Sequence, residues 1–211
     1  MSLLKKYGLP VLILLMSILY IFFFSDQIVF KLIPMWLIIC YAYLQFPSKR
    51  SFTHWLVLIG LFFCMLGDGL LEKSFVIGLT AFLIGHLFYM AAFFSCWKFS
   101  KIRFGTIILL ILYGLLIGKE LMDGLVTQGN DALLVPVLFY IIIISLMAWA
   151  AIMTKNKWAI TGSILFVISD SILAWNMFIS DITYSGSLIM TTYYGAQFLI
   201  AQSIGNLKTY L

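Results

Sequence analysis

Long apolar runs recur from end to end of this chain, and they restrict the folds that it can adopt. Runs of about 18 to 23 apolar residues are long enough to cross a hydrocarbon layer of roughly 30 Å as helices. Of the 211 residues, 64% are hydrophobic and only 10% are charged, far from the composition of a soluble domain. The sequence therefore predicts an all-α fold, a polytopic membrane bundle.

The runs predict eight transmembrane helices in a single integral membrane domain, residues 1–211. We place these helices at residues 7–24, 28–46, 52–71, 74–96, 104–118, 133–153, 158–180 and 186–206. Lys5 and Lys6 before the first run would also suit a signal peptide, but no small-residue cleavage site follows Phe24. The first run is therefore interpreted as a span.

The net charge of +5 is explained by topology and does not require a nucleic-acid partner. With the N-terminus inside, ten of the 13 basic residues fall at cytoplasmic helix ends, as the positive-inside rule expects. These ten are Lys5, Lys6, Lys49, Arg50, Lys98, Lys101, Arg103, Lys155, Lys157 and Lys208. The pattern predicts a cell-membrane protein with both termini cytoplasmic.

The longest polar connection predicted lies between helices five and six, at residues 119–131, with the sequence KELMDGLVTQGND. Two interpretations of it remain open. It either forms a lid over a site or is a solvated turn.

Three residue types recur with one spacing, which suggests an internal repeat. Pro34 and Pro136, Gly60 and Gly162, and Asp68 and Asp170 are each separated by 102 residues. The repeat predicts two four-helix halves, residues 1–103 and 104–211. Because helices three and seven run in the same direction, the halves would be parallel repeats.

Asp68 and Asp170 are the acidic residues that fall within the predicted spans, and an ionisable residue at that depth indicates function. Gly67 and Gly69 flank Asp68 and leave room for a ligand or another helix. Asp170 lies eleven residues before Asp181, about 16 Å from the outer end of its helix. The alternative is a helix–helix contact in which each carboxyl group is satisfied by a neighbouring hydroxyl or amide.

Other polar side chains within the spans are candidates for substrate binding or support. They are Lys31, His86, Tyr89, Tyr140, Asn176, Tyr193 and Gln197. His86 shares a helix face with Phe82 and Tyr89, and is equally a candidate for a packing residue. For Lys31 two interpretations remain open: its side chain either binds substrate or extends to the membrane interface. The remaining histidine, His54, is remote, so we predict no metal site.

At these residues the chain resembles the lysoplasmalogenase (YhhN-like) family of membrane hydrolases over nearly its whole length. Four motifs carry the resemblance: K-x-x-P, GD followed by F-x-x-G-H-x-x-Y, G-x-x-x-F-x-x-S-D-x-x-L and Y-Y-x-x-Q. Their residues here are Lys31, Pro34, Gly67, Asp68, Phe82, Gly85, His86, Tyr89, Gly162, Phe166, Ser169, Asp170, Leu173, Tyr193, Tyr194 and Gln197.

The resemblance implies hydrolysis of the vinyl-ether bond of a lysoplasmalogen to a fatty aldehyde and glycerophosphoethanolamine or glycerophosphocholine. The expected partners are a lysophospholipid, water and membrane lipids, and no cofactor is expected. The chemistry suits two carboxyl groups, since one can donate a proton while the other stabilises a cation and orients water.

Two other classes of protein also fit these residues. A proton-coupled transporter would use a parallel repeat and intramembrane Asp and His residues. A structural membrane protein would hold the same polar groups in satisfied contacts.

Overall fold

The computed structural model describes residues 7–207, and every regular element in that range is helical. The eight α-helices are α1 Leu9–Phe23, α2 Ile28–Leu44, α3 Phe52–Leu71, α4 Phe75–Phe94, α5 Lys101–Thr127, α6 Leu134–Met153, α7 Lys157–Phe178 and α8 Ser185–Ser203. The predicted all-α class and the number of helices are confirmed over this range. Lys5, Lys6 and Lys208, on which part of the charge pattern depends, lie outside the described residues.

Five of the described helices are long and apolar enough to cross a membrane, namely α3, α4, α5, α6 and α7. The helices α1 and α2 are apolar but shorter, with 15 and 17 residues. Large apolar side chains stay exposed around the bundle, among them Phe22 on α1 and Ile108 on α5. Exposed apolar surface on this scale is suited to contact with lipid.

The predicted end of helix five, residue 118, was wrong by nine residues. The helix continues to Thr127, so most of the segment interpreted as a polar loop is helical. Leu121 and Leu125, one turn apart, are buried there in a cluster with Val137 and Phe178. These apolar contacts hold the last turns in a helix, while polar neighbours such as Glu120 and Asp123 face outward.

The closest helix packing involves two pairs, α3 with α4 and α7 with α8. Each pair meets at a glycine. A Cβ atom at Gly60 would lie 2.4 Å from the Tyr89 ring, and one at Gly162 would lie 2.9 Å from the Ala196 carbonyl oxygen. Small residues at these positions let the backbones approach closely.

The core lies where these two pairs meet the remaining helices. The α4 helix packs on α6, and α8 packs on α2. Residues from α1, α2, α3, α4, α6, α7 and α8 form one continuous buried cluster, while α5 contributes buried residues near its end to a smaller one. Most of the candidate polar residues are buried within this bundle.

Candidate active site

Asp68 lies near the end of α3 and is only 3% exposed. The Tyr193 hydroxyl group, on α8, donates a hydrogen bond of 2.7 Å to its Oδ2 atom. The neighbouring Gly67 is needed for packing, because a Cβ atom there would lie 2.7 Å from the Phe82 ring. Gly69 faces more open space, with Leu32 at 4.0 Å. Asp68 is thus enclosed between α3 and α8.

Asp170 forms a cluster with two residues from other helices. Tyr140, on α6, donates a hydrogen bond to Oδ2 of Asp170. The Nε2 atom of His86, on α4, lies 2.9 Å from the Tyr140 hydroxyl group and 3.7 Å from Oδ2 of Asp170. His86 is fully buried, whereas the Asp170 side chain is 18% exposed. We call Asp170, Tyr140 and His86 the Asp170 cluster.

The two carboxyl groups are linked through aromatic packing. Within residues 7–207 no hydrogen bond joins Asp68 to Asp170, and each has its own tyrosine donor. The centroid of the Phe166 ring lies 4.5 Å from that of the His86 ring and 5.4 Å from that of the Tyr193 ring. One aromatic side chain therefore contacts both the Asp170 cluster and the partner of Asp68.

Tyr89 and Gln197 form a third buried contact, between α4 and α8. The Tyr89 hydroxyl group donates a hydrogen bond of 2.7 Å to Oε1 of Gln197. Nε2 of Gln197 and Nδ1 of His86 are both buried and have no hydrogen-bond partner within the described part of the chain. Tyr193 and Gln197 share a face of α8 but have different partners. Tyr193 is hydrogen-bonded to Asp68, whereas Gln197 is hydrogen-bonded to Tyr89.

Lys31 is buried near the Asp68 end of the site. Its Nζ atom lies 3.2 Å from Oε1 of Glu72, which is one turn beyond Asp68. Its carbonyl oxygen accepts a hydrogen bond of 2.7 Å from Tyr194. Lys31 is thus held at the junction of α2, α3 and α8.

Asn176 is the predicted candidate that lies apart from the others. Its Oδ1 atom accepts a hydrogen bond of 2.9 Å from the backbone N–H group of Ile182. This contact closes the turn between α7 and α8. No hydrogen bond of the described residues joins Asn176 to either carboxyl group.

An apolar cavity of about 70 Å³ lies between α4, α5, α6 and α7, and Asp170 and Tyr140 are in its wall. Tyr113 also lines it and is hydrogen-bonded to Ser171. Neither Tyr113 nor the cavity was predicted from the sequence. A tyrosine hydroxyl group in the middle of an apolar helix was the available signal, since such a group needs a partner.

A second cleft, of about 330 Å³, lies between α1 and α8. It is lined by Tyr20, Ile21, Ser25, Tyr184, Ser185, Gly186, Ser187 and Met190. The centroids of the Tyr20 and Tyr194 rings are 6.1 Å apart. The Tyr194 hydroxyl group is hydrogen-bonded to the carbonyl oxygen of Lys31. Tyr20, in the wall of the cleft, is therefore connected through Tyr194 to the backbone of Lys31.

No group of three or more His, Cys, Asp or Glu residues within residues 7–207 is placed to hold a metal ion. His54, the histidine outside the Asp170 cluster, accepts a hydrogen bond from the Ser51 N–H group at the start of α3. The absence of a metal from the reaction stays a prediction.

Comparisons with known proteins identify relatives over most of the chain. A model of the YhhN family matches residues 26–204. Human lysoplasmalogenase TMEM86B is 34% identical over 170 residues, which cover 79% of this chain and 71% of that protein. The mouse TMEM86B lysoplasmalogenase is 28% identical over 172 residues, covering 81% and 71%. Bovine lysoplasmalogenase TMEM86A is 33% identical over 161 residues, covering 70% and 64%. No solved structure matches.

Proposed function

The chain belongs to the YhhN family, as its motifs predicted, and we propose that this multi-pass membrane protein hydrolyses the vinyl-ether bond of a lysoplasmalogen. The products are a fatty aldehyde and glycerophosphoethanolamine or glycerophosphocholine. Relatives that cover most of the chain carry the name lysoplasmalogenase. The structural observation that carries the proposal is the Asp170 cluster, which lies in the wall of an apolar cavity.

The proposed reaction begins with proton transfer from a carboxyl group to the vinyl-ether carbon that is not bonded to oxygen. The oxygen-bearing carbon becomes an oxocarbenium ion, which an ionised carboxylate stabilises. Water adds to this carbon, with loss of a proton, and gives a hemiacetal. The bond between the hemiacetal carbon and the glycerol oxygen then breaks: the hemiacetal hydroxyl group loses its proton, the glycerol oxygen takes one up, and the aldehyde leaves.

We assign the acid and base roles to the Asp68 and Asp170 pair. The different surroundings of the two carboxyl groups support this division, since Asp68 is enclosed and Asp170 is partly exposed at the cavity. Two carboxyl groups in different surroundings can take different protonation states. Tyr140 and His86 orient Asp170, and Tyr193 orients Asp68.

The phosphorylated head group is proposed to bind toward Lys31, which supplies a cation near Asp68. The cleft between α1 and α8 supports this placement, because it is lined by hydroxyl groups and because Tyr20 in its wall is connected through Tyr194 to the backbone of Lys31. Tyr89 and Gln197 are assigned a supporting role behind the site, where they join α4 to α8.

Aldehyde release by the purified protein in detergent tests the proposed function. Lysoplasmenylethanolamine or lysoplasmenylcholine should release aldehyde, whereas the saturated 1-O-alkyl analogue should not, because it has no double bond to protonate. Transport of the lipid without turnover would instead support a carrier. Absence of aldehyde release with both substrates would overturn the proposal.

All eight helices are further proposed to span the cell membrane with both termini in the cytoplasm. The distribution of basic residues supports this topology. Lys155 lies between α6 and α7, and Lys157 begins α7. Lys98 lies between α4 and α5, and Lys101 and Arg103 lie in the first turn of α5. The eight α-helices of residues 7–207 give an even number of spans, which would place both termini on the same side.

Reporter fusions test this topology. A fusion after Lys155 and one after Leu211 should both report cytoplasm, and a fusion within residues 128–130 should report the opposite side. The positive-inside rule is the reason, since the basic residues cluster at one set of helix ends. Opposite signals from the two cytoplasmic positions would mean that a span is missing from the topology.

The halves 1–103 and 104–211 are proposed to be parallel repeats. Equivalent packing supports this, because α3 pairs with α4 as α7 pairs with α8, and α4 packs on α6 as α8 packs on α2. Gly60 and Gly162, 102 residues apart, have the same role in the two close helix pairs.

A further inference from the structure

The cleft between α1 and α8 lies at the end of the bundle where α1 ends and α8 begins. Its volume is about 330 Å³, against about 70 Å³ for the cavity beside Asp170. Its wall includes Ser25, from the connection between α1 and α2, and Ser185 and Ser187, from the first turn of α8. No Asp or Glu residue within residues 7–207 lines it. A cleft with hydroxyl groups and no carboxylate in its wall is suited to an anionic ligand.

The start of α8 supplies backbone donors to this cleft. The first turn of a helix leaves N–H groups without partners inside the helix. The Ser185 N–H group is bonded to the Ile182 carbonyl oxygen, but those of Gly186 and Ser187 have no partner among the described residues, and no side chain caps the helix. A Cβ atom at Gly186 would meet nothing within 4 Å, so the backbone is accessible there. The helix dipole adds a partial positive charge at this end.

Tyr20 supplies a side-chain donor from the facing helix, α1. It lines the cleft and is only 6% exposed. Its ring contacts the edge of the Tyr194 ring, but its hydroxyl group makes no hydrogen bond with residues 7–207. A buried tyrosine hydroxyl group usually has a hydrogen-bond partner. An acceptor oxygen of a ligand in the cleft would supply the missing partner.

The wall of the cleft continues along α8 to the tyrosine that contacts Asp68. Ser187 and Met190 both line the cleft and are three residues apart, so they share a face of α8. Tyr193 follows Met190 by the same spacing and donates its hydrogen bond to Asp68. The six residues from Ser187 to Tyr193 rise about 9 Å along the helix. The glycerol backbone between the phosphate and the vinyl ether of a lysoplasmalogen bridges a distance of this order.

Lys31 is not free to make the direct contact with a ligand in the cleft. Its ammonium group is paired with Glu72 at 3.2 Å, and its side chain is 11% exposed. Its positive charge lies near the site, but the direct contacts are left to the uncharged donors in the wall of the cleft.

We propose that the phosphate group of the lysophospholipid binds at the start of α8, where its oxygens accept hydrogen bonds from the N–H groups of Gly186 and Ser187 and from the Tyr20 hydroxyl group; this rests on the proposed function. A phosphate group has several acceptor oxygens, so it can accept from donors on two helices at once. The phosphate contact then holds the vinyl ether at the depth of Asp68.

Binding of two saturated lipids that differ in the phosphate tests this proposal. The ligands are a 1-O-alkyl lysophosphatidylethanolamine and the 1-O-alkylglycerol with the same chain, titrated calorimetrically into purified protein. The wild type should bind the phospholipid more tightly. Tyr20→Phe removes one hydrogen bond to a charged group and should raise the phospholipid Kd about tenfold. Gly186→Asp puts a carboxylate where the anion binds and should raise it at least as much.

The 1-O-alkylglycerol Kd should stay at the wild-type value in both cleft variants, which also shows that they are folded. Tyr43→Phe and Asn130→Asp are the matched controls. Tyr43 is on α2 and Asn130 lies between α5 and α6, and neither lines the cleft. Both controls should leave the two Kd values unchanged.

Unchanged phospholipid binding in both cleft variants would overturn the phosphate site. Inorganic phosphate, titrated alone, should bind much more weakly than the phospholipid, and equal affinity would overturn the assignment to a lipid. If the wild type releases no aldehyde but the cleft variants weaken phospholipid binding alone, the phosphate site stands and the hydrolase proposal fails. If the wild type releases aldehyde and the variants alter neither Kd nor KM, the hydrolase proposal stands and the phosphate site fails.

Discussion

Asp68→Asn and Asp170→Asn are each expected to abolish aldehyde release, with a loss of about 10²–10⁴-fold in kcat. The amide keeps the shape of the side chain but does not exchange a catalytic proton. Its carbonyl oxygen can still accept the hydrogen bond from Tyr193 or from Tyr140, so the packing around each position should persist. Turnover of purified, monodisperse protein is the measurement.

Asp181→Asn is the matched control, because Asp181 is exposed between α7 and α8. This variant should retain wild-type turnover. A folded Asp68 or Asp170 variant that keeps more than about a tenth of the activity would remove that residue from acid–base catalysis. The two substitutions are informative separately, since the carboxyl groups have different partners.

The helices themselves could be predicted from the apolar runs, because each run is longer than a buried segment of a soluble domain needs to be. The end of α5 could not. Lys119, Glu120 and Asp123 make the segment polar in composition, whereas Leu121 and Leu125 are buried against other helices. Whether such an amphipathic turn stays helical depends on a tertiary partner, and that partner lies more than 50 residues further along the chain, at Phe178.

The candidate site was predictable one helix at a time. Helical spacing placed Phe82, His86 and Tyr89 on one face of α4, and all three are buried together. Spacing along one helix does not indicate which helix lies opposite. The contacts of Tyr140 with His86 and Asp170, and of Tyr193 with Asp68, arise from the arrangement of the bundle.

Each of the two carboxyl groups is also contacted by a residue of the other proposed repeat. Asp68, from the first half, receives its hydrogen bond from Tyr193 in the second half. Asp170, from the second half, has His86 of the first half at 3.7 Å. If the halves are repeats, neither contains a complete site alone. The interface between the halves then positions both carboxyl groups. A functional site at this interface explains why polar residues lie at the centre of an apolar bundle.

The Asp170 cluster should act as a unit in catalysis. His86 touches Tyr140, and Tyr140 donates to Asp170, so removal of either supporting side chain disturbs the same carboxyl group. A hydrogen bond to a charged group contributes about 1.5–3 kcal/mol, equivalent to about tenfold to 150-fold in rate. His86→Gln and Tyr140→Phe should therefore each lower kcat/KM within that range and leave measurable activity.

The double variant of His86→Gln and Tyr140→Phe should lose little more activity than whichever single variant has the larger loss. Residues in one hydrogen-bond network have coupling energies of about 0.5–3 kcal/mol, because the second substitution removes a contact that the first has already broken. Tyr113→Phe combined with His86→Gln is the control pair. Tyr113 lines the same cavity but is hydrogen-bonded to Ser171, so its effect should multiply with that of His86. If the His86 and Tyr140 losses also multiply, the two side chains act independently and Asp170 is not held by the cluster.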